Sequence, residues 1–155
     1  EEALYKLTER YFSTRGPATV KDYVWWSGLT VKDAKKGIDM LPKEFKRESI
    51  DGNEFVYVPV DEKKLKESST TFLMPRYDEY GISYKDRSAL ASVKNTAKES
   101  GVFNSILIVN GTFGGTWQRV VKGKNVEIAV NPFKQYEKLE AIKEAVDRYY
   151  EFIRH

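Results

Sequence analysis

The sequence predicts an α+β fold: a winged helix-turn-helix, then a small antiparallel β-sheet or partial barrel, then a C-terminal helix. Three observations predict it. Residues 2–41 read as three short amphipathic helices punctuated by glycine and proline. An Asp51-Gly52 turn then joins two strand-like runs, and helix, helix, helix, hairpin is the winged-helix order. Further on, SILIVNGTFGGTWQRVVKGKNVEIAV reads as three strands, and an apolar stripe of helical period follows them.

The elements follow in order. Residues 2–14 put Leu4, Leu7 and Tyr11 on one helical face, with Phe12 beside them, and Gly16-Pro17 ends that helix. Thr19 can cap a second helix through Tyr23, Val24 and Trp26, closed by Gly28. Thr30 with Asp33 forms a variant capping box for a third helix, whose buried stripe is Ala34, Ile38 and Leu41 and whose stop is Pro42. The Trp25-Trp26 pair reads as core and inter-helix packing. Residues 61–71, DEKKLKESSTT, form a polar boundary, which divides the chain into a winged-helix domain, 1–62, and a β-barrel-like unit with a packing helix, 63–155. FLMPRYDEYGISY reads as a strand, a tight bend and a second extended piece, and residues 88–100 as polar helix or loop. Asn110-Gly111 makes the first turn of the later strands, and Gly123-Lys124 or Lys124-Asn125 the second. Asn131-Pro132 opens a last helix over 134–154, with Leu139, Ile142, Val146, Tyr149 and Ile153 as its stripe.

Composition excludes several chemistries. With no Cys and His155 as the only histidine, a Ser-His-Asp triad, a Cys-His pair, a thiolate metal site and a multi-His zinc site all lack their residues, and neither a metal nor a cofactor is expected. No apolar run approaches the roughly 18 residues of a membrane span, so no membrane partner is expected and the cytoplasm is the expected compartment. The chain starts at Glu1, directly on a helical pattern, which reads as a C-terminal piece of a longer protein.

Charge points to nucleic acid. Residues 1–62 hold 10 Lys and Arg against 12 Asp and Glu, whereas 63–155 hold 16 against 11. Between 85 and 124 seven basic residues face only Asp86 and Glu99. Lys85, Arg87, Arg119, Lys122 and Lys124 are the leading candidates for phosphate contacts, with Lys32, Lys35 and Lys36 on the exposed side of the third helix as a second set. Tyr77, Tyr80 and Tyr84, interleaved with these charges, can stack bases or fill a small β core. Asp78 and Glu79, on a strand, would point to opposite faces and so could not share a substrate; a salt-bridge role with Arg76, Lys85 or Arg87 is favoured. Gly111, Gly114 and Gly115 precede no helix, which argues against a phosphate loop and for a bend or close packing. No catalytic residue is assigned.

RGPATVKDYVWWSGLTVKDAKKGI, LMPRYDEYGISYKDRSAL and VNGTFGGTWQR, in this order and spacing, resemble the C-terminal part of bacterial winged-helix DNA-binding proteins of the interstrand-crosslink glycosylase superfamily, including the azinomycin-resistance type. The resemblance spans about Leu4 to Ile153. It implies tandem winged-helix units supporting a β-barrel-like unit around duplex DNA, and excision of alkylated or crosslinked bases. It also implies a Gln–apolar–Gln motif, or a relative with Asp, in an N-terminal part. Gln118 and Gln135 belong to no such motif, so the chemistry is expected upstream of Glu1. Where relatives often show TWRR, this chain has Gln118 before Arg119.

The expected role is to hold double-stranded DNA through phosphate contacts that do not read sequence, beside upstream winged-helix domains of the same parent chain. Two other classes stay open. The acidic first half suits a structural or protein-interaction module. A transcription regulator reading bases through the third helix would lack Arg, Asn or Gln there for bidentate readout.

Overall fold

A computed structural model describes residues 1–61, 70–90, 104–123, 125–133 and 139–154. Contacts divide the chain into two units, Glu1–Lys66 with Ile82–Asp86, and Glu67–Gly81 with Arg87–His155. The expected boundary between 62 and 63 lies outside the described residues.

The first unit runs α1 (Glu2–Arg15), β1 (Ala18–Thr19), α2 (Val20–Ser27), α3 (Val31–Asp39), β2 (Lys46–Ile50) and β3 (Asn53–Tyr57). Local chemistry sets the helix ends. Thr19 accepts from the Asp22 backbone N–H and Asp22 accepts in return from the Thr19 N–H, a complete capping box. Gly28 closes α2 at φ +70, where a Cβ is disfavoured. Thr30 accepts from the Asp33 N–H, while its own hydroxyl, rather than its backbone, donates to Asp33. Asp51 and Gly52, both at positive φ, turn β2 into β3, and β1 pairs with β3 to give the antiparallel order β1-β3-β2.

This unit's core is aromatic. Tyr11, Phe12 and Tyr23 are fully buried with ring centroids 4.9–5.3 Å apart, and each such side chain stabilises by about 1.5–3 kcal/mol. Ala18, Ala34, Ile38 and Val56 complete the cluster, and Leu7, Trp26 and Leu41 pack on it. A Cβ at Gly37 would overlap the Thr8 hydroxyl, so glycine is what lets α3 lie against α1. Thr8 is itself satisfied, 2.7 Å from Leu4 O and 2.8 Å from the Tyr23 hydroxyl.

Residues Ile82–Asp86 are bound into the same unit. Tyr11 donates to Ser83 O, Trp25 Nε1 to Ile82 O, and Tyr84 to Arg15 O, while Arg15 Nε meets Ser83 Oγ. Buried Asp22 accepts from the backbone N–H groups of Lys85 and Asp86 at 2.8 and 3.2 Å. Thus Trp26 packs on the core as expected, whereas Trp25 is half exposed and spends its indole N–H on this segment.

The second unit contains β4 (Thr71–Met74), α4 (Glu79–Ile82, whose last residue belongs to the first unit), a 3-10 turn at Ser88–Leu90, β5 (Ile106–Val109), β6 (Thr112–Lys122), β7 (Asn125–Pro132) and α5 (Leu139–Arg154). The four strands form one antiparallel sheet in the order β4-β5-β6-β7. Asn110-Gly111 makes the β5–β6 turn at positive φ, as the sequence predicts. The residues after β4 differ from expectation. They make a short helix rather than an extended piece, because Asp78 caps it by accepting from the Tyr80 N–H and Tyr77 takes a left-handed conformation. Asp78 and Glu79 therefore do not alternate along a strand.

A bulge organises the sheet. Leu107 pairs with Gly115 but Ile108 pairs with Phe113, so Gly114 is an extra residue in β6. The slip puts Phe113 on the same face as Ile106 and Ile108, where Met74, Tyr80, Leu90 and Phe133 pack. Leu107 and Trp117 lie on the opposite face, where the Trp117 ring meets Tyr149 of α5 at 5.2 Å. A Cβ at Gly115 would meet Asn131 O at 2.5 Å and Pro132 Cα at 2.8 Å, so glycine permits close backbone passage there. α5 also serves both sheet edges: Arg148 donates to Thr71 O on β4, and the Ile128 N–H on β7 donates to the Tyr150 hydroxyl.

Candidate nucleic-acid interface

The sequence-predicted cations fall in both units. Lys32, Lys35 and Lys36 lie exposed on α3, whose N-terminus is fixed by Thr30 and whose opposite face buries Ala34, Gly37 and Ile38. Lys32 and Lys35 make no ion pair with a described residue, whereas Lys36 meets Glu1 at 2.7 Å. Lys85, also in the first unit, has its backbone held by Asp22 and its side chain exposed. Arg47 is taken up within the same unit by Asp39 and Ile38 O.

In the second unit Arg119 and Lys122 share β6 but not a face. Strand alternation puts Arg119 with Trp117 and Val121, and Lys122 with Gln118 and Val120. Lys122 is paired with Glu127 at 2.7 Å, and Arg119 is exposed with no ion pair to a described residue. The expected cluster of three at this hairpin is therefore two residues on opposite faces, and Lys124 lies outside the described residues. Arg87 is half-buried, with its guanidinium 5.9 Å from the Phe113 ring centroid. Burial lowers its pKa from the ordinary guanidinium value.

The three tyrosines separate by environment. Tyr84 donates to Arg15 O and packs on the first core. Tyr80 donates to Gly111 O and packs on the second, and burial raises its phenol above the usual range. Tyr77 is 63% exposed at φ +61. Sequence reasoning treated the three alike because a left-handed backbone at a tyrosine has no composition signal. Of the two carboxylates favoured for salt bridges, Asp78 makes none with a described residue and accepts instead from the Tyr80 N–H.

The family model for DNA glycosylase AlkZ-like proteins matches residues 1–152. The chain belongs to the AlkZ-like DNA glycosylase family. A search of curated proteins by sequence finds no match. Among solved structures, the Streptomyces sahachiroi DNA glycosylase AlkZ is similar, with a TM-score of 0.68 at 14% identity over 93% of this chain and 41% of that one. The chain thus spans about two fifths of the length of that glycosylase. Among the described residues, this AlkZ-like chain has no helix long and apolar enough to cross a membrane.

Proposed function

We propose that this chain is the DNA-holding portion of a DNA repair glycosylase acting on alkylated or crosslinked bases in the bacterial cytoplasm. It grips the duplex through phosphates without reading sequence, and the groups that cleave the glycosidic bond reside in other winged-helix units of the parent chain. The order α1-β1-α2-α3-β2-β3 supports a winged helix as the first unit, with α3 toward the groove and the β2–β3 hairpin toward the backbone. The carrying observation is that Lys32 and Lys35 stand exposed on α3, with no ion pair to a described residue, in a chain of this family. Lys85 and Arg119 add exposed cations, Arg87 a half-buried one. Lys36 and Lys122 can exchange a surface carboxylate for a phosphate at little cost, since exposed pairs contribute little. Lys124 belongs to the same proposed set.

The test is fluorescence anisotropy of the chain with an undamaged duplex at about 50 and about 200 mM salt. Affinity should collapse at the higher salt. The pair Lys32→Glu with Lys35→Glu should weaken binding and lower the salt slope by about two, near one unit per phosphate contact. Absence of binding at low salt would favour a protein-interaction module. Ion pairs within the first unit, Lys6–Glu2 and Arg47–Asp39 as well as Lys36–Glu1, already neutralise several of its cations and would fit that reading.

A further inference from the structure

We infer that Tyr77 and Asp78 form a receiving site for one unstacked nucleobase on the second unit, separate from the phosphate-contacting lysines. The inference rests on the DNA-holding role proposed above. Three residues in the described chain other than glycine have positive φ: Asp51, Tyr77 and Asn110. Asp51 and Asn110 sit in hairpin turns, where short polar side chains tolerate that conformation. Tyr77 has no such excuse, because a bulky aromatic there is strained and strain of this kind concentrates at ligand sites. The strained backbone presents the ring at 63% exposure instead of burying it.

Beside the ring lies a shallow crevice of about 10 Å³, open to solvent and too small to enclose a base, with Met74, Ile106, Ile108 and Phe113 as its apolar lining. Asp78 stands at the same crevice. One carboxylate oxygen is fixed 2.9 Å from the Tyr80 N–H, and no described residue donates to the other. A flat ring for stacking beside an oriented acceptor suits a base bearing an exocyclic amino group, such as cytosine. Arg76, next in the chain and exposed, can meet the adjoining phosphate.

Three duplexes of one sequence test the site by anisotropy: fully paired, with a single-cytosine bulge, and with a single-thymine bulge. The wild type should prefer the cytosine bulge to the paired duplex by about tenfold, the size of one aromatic–base stack. Thymine should gain less. Tyr77→Gly should keep wild-type affinity for the paired duplex, lose the preference for the bulge, and melt no lower than wild type because glycine accepts the left-handed conformation. Tyr77→Phe should retain the preference, and Asp78→Asn should narrow the cytosine–thymine difference. Equal affinity for paired and bulged duplexes, or a bulge preference that survives Tyr77→Gly, overturns the site and leaves the DNA-holding role standing. A wild type that binds none of the three overturns both.

Discussion

Single residues set the limits of this fold, and glycine does so where backbones cross. At Gly115 an added Cβ would strike the Asn131 carbonyl and Pro132 Cα, both main-chain atoms that cannot swing away. Gly115→Ala should lower stability by about 1–3 kcal/mol, the usual cost of overpacking, read from the denaturant midpoint. Tyr23 makes a pH prediction. Burial raises its phenol above the ordinary 10.0, partly offset by the hydrogen bond with Thr8. The folded state therefore holds the proton longer than the unfolded chain does, so Tyr23's contribution is fully present below pH 10.0 and lost as pH climbs beyond it. Tyr23→Phe should flatten the alkaline decline in unfolding free energy. The glycines flanking turns were legible in the sequence, and so were close packing at Gly115 and the two capping threonines. The left-handed Tyr77 was not, since nothing in its neighbours' chemistry demands that conformation.

Among the elements, legibility tracked how local the determining physics is. Helices α1 to α3 and the Asp51-Gly52 and Asn110-Gly111 hairpins are fixed by caps, turn residues and periodicity within a few positions. They stand where those signals put them. α4 was missed because its start depends on one aspartate accepting a backbone N–H two residues on, which competes evenly with an extended reading. The hairpin patch of Arg119 and Lys122 was read as one cluster because both are near one turn in sequence. Period-two alternation sends them to opposite faces instead. Asp22 ties element to element: it closes the α2 capping box and accepts from the N–H groups of Lys85 and Asp86. Asp22→Ala should therefore cost more than a lost cap, about 2–4 kcal/mol, with two main-chain donors left unpartnered. Asp22→Ser, which restores only the cap, should recover part of that loss in the same melt.

At the scale of the molecule, charge distribution and family both support the proposed nucleic-acid role. The first unit pairs several of its own charges, Lys36 with Glu1 and Arg47 with Asp39 among them, while Lys32 and Lys35 on α3 make no ion pair with a described residue. The family was legible from three ordered motifs between Arg15 and Arg119, and the family match over residues 1–152 agrees with it. Catalysis was not legible, because neither glutamine stands in a motif that could position a water. The whole chain should then bind duplex DNA in a salt-dependent way yet leave alkylated bases uncleaved, a result that a glycosylase assay run beside the binding assay would read directly.

The bonding of Ile82–Asp86 into the first unit has a consequence for how the protein is made. A ribosome finishes β3 at Tyr57, but the Tyr11 hydroxyl, the Trp25 indole N–H and one carboxylate oxygen of Asp22 still await partners that emerge with residues 82–86. At about 5–20 residues per second, the last of these bonds waits roughly 2–6 seconds to form. Meanwhile the first strand of the second unit has already been translated. Birth order and folding order are thus interleaved: the earlier unit is completed by chain that belongs, in sequence, to the later one.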